Sequence, residues 1–266
     1  MSLHKANEQS VAALHERVSN AAQSFEQHQI DILSGRDQET EFPGPIGIAG
    51  SGAKFAPDGS PLVFPGNTFI CHLDPASDAF QAVDRLQMGL RDGPSVDYFT
   101  FLPSASFHMT IFPAICGDPL GHDGWPSDIT HGTSLEALNE IYLERSCDKS
   151  AFASVSVVPD QLFLGHSLEV KGKTPADTKM LWDSRGMLEN LTGLVRDSFQ
   201  DYRFHISIAY LRRWMSVEMA RQHLRFADGL FQEFCSDVDE IQFGPVEFCT
   251  FQNMHHFETL AVLNSG

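Results

Sequence analysis

Positive charge is scarce in this chain: 18 Lys and Arg stand against 35 Asp and Glu, giving a net charge of −17 over 266 residues. Such a surface repels polyanions at long range, which excludes DNA and disfavours long RNA; a short or mononucleotide-sized anion, such as a small phosphorylated molecule or a short RNA end, needs only a few local cations. Cysteine is also scarce. Cys71, Cys116, Cys147, Cys235 and Cys249 are odd in number, widely spaced and free of any Cys-x-x-Cys pair. That excludes a disulfide framework and a zinc knot, and points to buried thiols in a reducing, cytoplasmic setting. No apolar run reaches the length that spans a bilayer, and the opening MSLHKANEQSVAALHERV lacks the apolar centre of a secretion signal, so no membrane partner is expected.

What is present begins with an amphipathic pattern. Val11, Leu14, Val18, Ala21, Ala22 and Phe25 recur at three- and four-residue steps and predict a helix over about 6–33, within an N-terminal helical extension over 1–42. The Gly- and Pro-rich stretch 41–67 marks the boundary to a single larger domain over 43–266. Its Gly47, Gly50 and Gly52 invite comparison with a phosphate loop, but no strand leads in, no helix follows and the Walker lysine pattern is absent. A loop and a hairpin turning at Asp58-Gly59 are expected there instead. From residue 67 strands and helices alternate: strands at 67–73, 96–102 and 106–115, helices opened by Asp74-Pro75 and by a capping box at Thr133–Glu136, and a helix over about 176–199. A further helix carries Ala220, Leu224, Ala227 and Phe234 on one side, and two strands close the chain. The fold class is α+β, with strand, helix and His-bearing strand occurring once in each half.

Those two strands, ASFHMTIFP (105–113) and YRFHISIAY (202–210), carry the chemistry. Strand side chains alternate between faces, so Phe107, Met109 and Ile111 turn to one side and His108 and Thr110 to the other. Phe204, Ile206 and Ile208 likewise oppose His205 and Ser207. The apolar faces require a core; the polar faces place an imidazole and a hydroxyl within reach of one tetrahedral anion. The bare triplet His-x-Ser/Thr means little among 12 histidines, and His131-Gly-Thr133 is a third example, explained by Thr133 as a helix N-cap. Matching Phe and Ile flanks, strand periodicity and equivalent positions in the two halves set the other two apart.

Paired His-x-Thr/Ser strands in a duplicated α+β frame resemble the 2H phosphoesterase superfamily, which includes the LigT-like RNA 2′,3′-cyclic phosphodiesterases, and within it a bacterial branch of unknown function. The resemblance covers about 64–266, including the tryptophan-bearing helix at Trp182, and leaves the Gly-rich segment outside. It implies two pseudo-symmetric lobes of antiparallel sheet and helices around a central cleft, with the two motifs facing each other across it. It places the catalytic roles on His108, Thr110, His205 and Ser207. Many relatives carry an arginine shortly after the second motif; this chain has Tyr210 there, with Arg212 and Arg213 just beyond, and Tyr210 and Arg213 are the candidate substrate contacts.

The chemistry agrees. Opening a cyclic phosphodiester needs a base to activate water and an acid for the leaving ribose oxygen, and imidazole serves both near neutrality. Hydroxyls stabilise the non-bridging oxygens. No metal or cofactor is called for. Two other readings compete: a non-catalytic nucleotide or phosphometabolite binding module, which would not need two titratable groups, and a metal-dependent hydrolase using His122-Asp123 or His255-His256, which lack ligand spacing. His72, on the strand at 67–73, is expected to be a hydrogen-bonded core residue.

Overall fold

The computed structural model describes residues 23–196 and 199–263. Helix α1 is described over 23–33, so the predicted pattern at Val11–Ala22 lies outside the described residues. The order after it is β1 (Gly66–His72), α2 (Asp78–Arg91), β2 (Phe99–Phe101), β3 (His108–Cys116), α3 (Leu135–Ser146), β4 (Val155–Phe163) and β5 (Ser167–Gly172). The second half holds α4 (Pro175–Thr192), β6 (His205–Ser207), β7 (Ala209–Leu211), α5 (Val217–Asp237), β8 (Ile241–Phe243), β9 (Val246–Asn253) and β10 (His256–Leu263).

Local chemistry sets the helix ends. Ser77, not Asp74, caps α2 by accepting from the Phe80 amide. Ser134, not Thr133, caps α3 through the Ala137 amide; the Thr133 hydroxyl donates instead to the Thr130 carbonyl. A reciprocal Thr174–Asp177 capping box opens α4, and Gly193 ends it at φ 69°, a left-handed position that costs glycine nothing. That stop comes well before the predicted 199.

Eight strands form one antiparallel sheet in the order β10-β9-β1-β3-β6-β5-β4-β8, while β2 and β7 pair separately. The pattern is α+β, and it is pseudo-symmetric about the centre: β1–α2–β3 on one side matches β5–α4–β6 on the other. The family resemblance implies two lobes with their motifs facing each other across a cleft. The structure makes the motif strands neighbours, joined by the pair Met109↔Ile206. The strand predicted over FHISIAY breaks at Ile208, whose carbonyl accepts from the Leu102 amide, so β7 leaves the main sheet for β2.

One face of the sheet buries Phe69, Met109, Leu168, Ile206 and Phe248 against α2, α3, α4 and α5. Met109 and Ile206 are both 0 % exposed, worth about 1.5–3 kcal/mol each in transfer from water. The other face is covered by the Gly/Pro-rich segment, which acts as a strap. Ile46, Phe55 and Phe64 from the strap pack on Ile70, Leu102, Cys249, Phe251, Met254 and Phe257. The strap turns back on itself at Asp58-Gly59, closed by a Phe55↔Pro61 bridge and by Asp58 holding Ser60. It enters β1 at Gly66, where a Cβ would meet Cβ of Cys116 at 2.6 Å, so only glycine lets the strap descend into the sheet. Helix α1 lies outside both layers, with Ile30 and Leu33 against Phe99, Leu211 and Met215.

Candidate active site

Register places the motif residues. In an antiparallel pair with Met109 opposite Ile206, the residues one step to either side also oppose: His108 with Ser207, and Thr110 with His205. Each histidine therefore stands across from the other motif's hydroxyl. All four are half-buried while their alternating neighbours are buried, the parity expected from the sequence. Extending the register outward gives two rows across the sheet. One runs Ser167, Ser207, His108, His72; the other runs Glu169, His205, Thr110, Ile70.

The two imidazoles are held alike. His108 Nδ1 lies 2.7 Å from the Ser106 carbonyl, and His205 Nδ1 lies 2.8 Å from the Arg203 carbonyl. A carbonyl can only accept, so Nδ1–H donates in both cases. The tautomer is thereby fixed, and Nε2 is left without a partner among the described residues. A neutral ring then presents a lone pair at Nε2, and a charged ring presents a proton there.

All four motif residues line one cavity of about 230 Å³. Its walls are supplied by the strap (Lys54, Phe64), by Tyr202 and Tyr210, and by Phe251, Met254 and Phe257 near the end of the sheet. Tyr202 donates to the Thr110 carbonyl at 3.1 Å, with the Arg185 guanidinium 3.7 Å from its ring centre. The Phe257 ring stands edge-on to His108 at 4.4 Å. Burial is the main reason that the His108 pKa is depressed, to about 4, with the neighbouring His72, His205 and Lys54 pushing the same way. Burial also lowers His205, but Glu169, its cross-strand neighbour, opposes that shift.

Of the two predicted substrate contacts, Tyr210 lines the cavity, its hydroxyl 3.4 Å from Lys54 Nζ. Arg213 does not: it is exposed, with its guanidinium 4.7 Å from the centre of the Tyr98 ring. Arg212 instead ties the strap turn to the β2 region through the Asp58 and Asp97 carbonyls. His72 is half-buried and bonded to Glu247 at 3.1 Å, on the site's face but outside the cavity lining. Sequence reasoning missed Lys54, Glu169, Tyr202 and Phe257. Glu169 carried one signal, a carboxylate on the polar side of an alternating strand; Lys54 sits in a segment without periodicity and carried none.

Among the described residues, His72, Glu247 and Cys249 form a group with the spacing to hold a metal, their ligand atoms within 4.8 Å of one another. Their chemistry fits an ion poorly. His72 and Glu247 already bond each other, Thr259 occupies Glu247, and burial pushes the Cys249 thiol up to about 12.

The backbone is similar to the crystal structure of a conserved protein of unknown function, ATU0111 from Agrobacterium tumefaciens str. C58. The TM-score is 0.80 at 24% identity, over 88% of this chain and 98% of that one. No curated protein matches the chain. No described helix is long and apolar enough to cross a membrane. Residues 54–153 match the family model described as 2H-phosphodiest, domain of unknown function (DUF1868). The matched span begins at Lys54, so it takes in the later part of the strap, which the sequence resemblance had left outside, as well as the first motif. Residues 54–153 thus resemble the 2H phosphoesterase superfamily, and the second motif, outside that span, lines the same cavity as the first.

Proposed function

We propose that the protein is a 2H-type cyclic phosphodiesterase that opens a 2′,3′-cyclic nucleotide or a related small cyclic phosphate by histidine acid–base catalysis, without a metal. The observation that carries this is the matched pair of imidazoles, each fixed through Nδ1 and each without a partner at Nε2 among the described residues, beside two crossed hydroxyls in one cavity.

The roles follow from the neighbours. His108 stands beside His72 and against the Phe257 ring, surroundings that favour its neutral form. His205 stands across from the Glu169 carboxylate, which favours its charged form. His108 Nε2 then takes a proton from water as that water attacks phosphorus. His205 Nε2–H gives its proton to the ribose oxygen as the P–O bond breaks, leaving a phosphomonoester. Thr110 and Ser207 donate to the non-bridging oxygens, where charge builds in the transition state.

The test is a panel of nucleoside 2′,3′-cyclic phosphates incubated with the protein in EDTA, with ring-opened product followed by ³¹P NMR. Turnover should persist in chelator and fall at least about 10²-fold in His205→Ala. A chain that binds these compounds and never opens them would be a binding module; activity abolished by EDTA would point to a metal enzyme.

A further inference from the structure

The cavity is electrically unusual for so acidic a chain. Among its lining residues there is one lysine, no arginine and no carboxylate, although the protein carries −17 overall. That lysine, Lys54, arrives on the strap, from 156 positions before its hydrogen-bond partner Tyr210. Its ammonium lies 5.0 Å from the centre of the Tyr210 ring and 5.6 Å from that of Phe64. No carboxylate lies within ion-pair distance of it among the described residues, and Asp123, which acts on it from farther off, is paired with Arg196.

Burial works against the ammonium, but its surroundings, among them the Tyr210 hydroxyl and the more distant Asp123, outweigh that and raise its pKa. Lys54 therefore carries its charge in the empty cavity, between two aromatic faces. Such a charge is best satisfied by an anion entering the cavity. The motif residues cannot attract that anion by charge: Thr110 and Ser207 are neutral, and both imidazoles lean toward neutrality when the site is empty. We infer that Lys54 is the anion-binding residue of the cavity, delivered by the strap to hold a non-bridging oxygen of the substrate's phosphate, and that Tyr210 orients it. The ligand class is therefore phosphate compounds carrying negative charge in the cavity, with neutral phosphate esters excluded. This rests on the phosphodiesterase reading for the identity of the anion, but anion capture itself needs no turnover.

The experiment titrates the wild type, Lys54→Arg, Lys54→Met and Lys54→Gln with inorganic phosphate by NMR at several ionic strengths. Thermal unfolding is run in parallel to confirm that each variant folds. Loss of one charge-assisted hydrogen bond should weaken phosphate binding about 10–100-fold in the Met and Gln variants. Lys54→Arg should retain most of the affinity. The salt dependence seen in wild type should flatten in the neutral variants, which a merely structural role for Lys54 would not produce. Phosphate affinity and salt dependence unchanged in a folded Met or Gln variant would overturn the inference. Should phosphate binding depend on Lys54 while no cyclic phosphate is opened, the anion site stands and the phosphodiesterase reading falls. Should turnover depend on His108 and His205 with phosphate binding indifferent to Lys54, the reverse holds.

Discussion

Under the proposed function, binding an anionic phosphodiester should move the pH profile of turnover upward, and the structure sets the scale. In the free protein His108 is held at about 4 by burial, and His205 also lies below the ordinary histidine value. The productive form, neutral His108 with charged His205, is therefore most populated below pH 6.5. The kcat/KM profile, which reports the free enzyme, should be a bell whose acidic limb is near 4 and whose alkaline limb is under 6.5. In the complex, a phosphate oxygen about 4 Å from an imidazolium contributes about 4 kcal/mol at an effective dielectric near 20. That corresponds to about 3 pKa units, and Lys54 beside the same phosphate cancels part of it, leaving a rise of about 1–2 units. The kcat profile should be displaced upward by that amount. The two bells are measured on one cyclic nucleotide, with buffers of constant ionic strength. Superimposed profiles, or a kcat/KM alkaline limb above pH 6.5, would refute the assignment of buried, neutral-leaning histidines.

Further outcomes follow from the same geometry. Thr110→Val and Ser207→Ala each remove one neutral donor to developing charge, and should lower kcat by up to about 10²–10³-fold with little change in folding. Ile206→Ala empties the fully buried position opposite Met109 beneath the site, and should cost about 2–5 kcal/mol in urea unfolding. Acid should destabilise the fold early. His108 and His223 are held near 4 and His166 near 3, all by burial, so below about pH 6.5 the unfolded chain binds protons that the folded chain refuses. Their contribution is complete above pH 6.5 and lost as pH falls toward 4, visible as a decline in Tm from pH 7 to pH 5. A flat Tm over that range would contradict it.

Much of this was legible in the sequence because it depends on periodicity. Strand parity alone separated His108 and Thr110 from Met109, and His205 and Ser207 from Ile206, and the three- and four-residue steps located α2, α4 and α5. Helix ends shifted where two side chains competed for one cap, as with Thr133 and Ser134. What could not be read was pairing across long separations. Nothing local says that β3 lies beside β6, that Glu169 stands across from His205, or that β7 leaves the sheet at Ile208. The strap was the largest omission. Its Gly and Pro residues signal turns, but the force that lays it over the sheet is the burial of Ile46, Phe55 and Phe64 on a face assembled from distant strands, and Lys54 reaches the cavity only as a consequence.

The central claim is that His108 and His205 act together on one transition state. Its most direct test is kcat/KM for the wild type, His108→Ala, His205→Ala and the double variant, on one cyclic phosphate in EDTA. Each single replacement should cost about 10²–10⁴-fold. The double should fall little below the weaker single variant, because groups that work as a unit lose their effect together. Losses that multiply, or full activity in either single variant, would contradict the account.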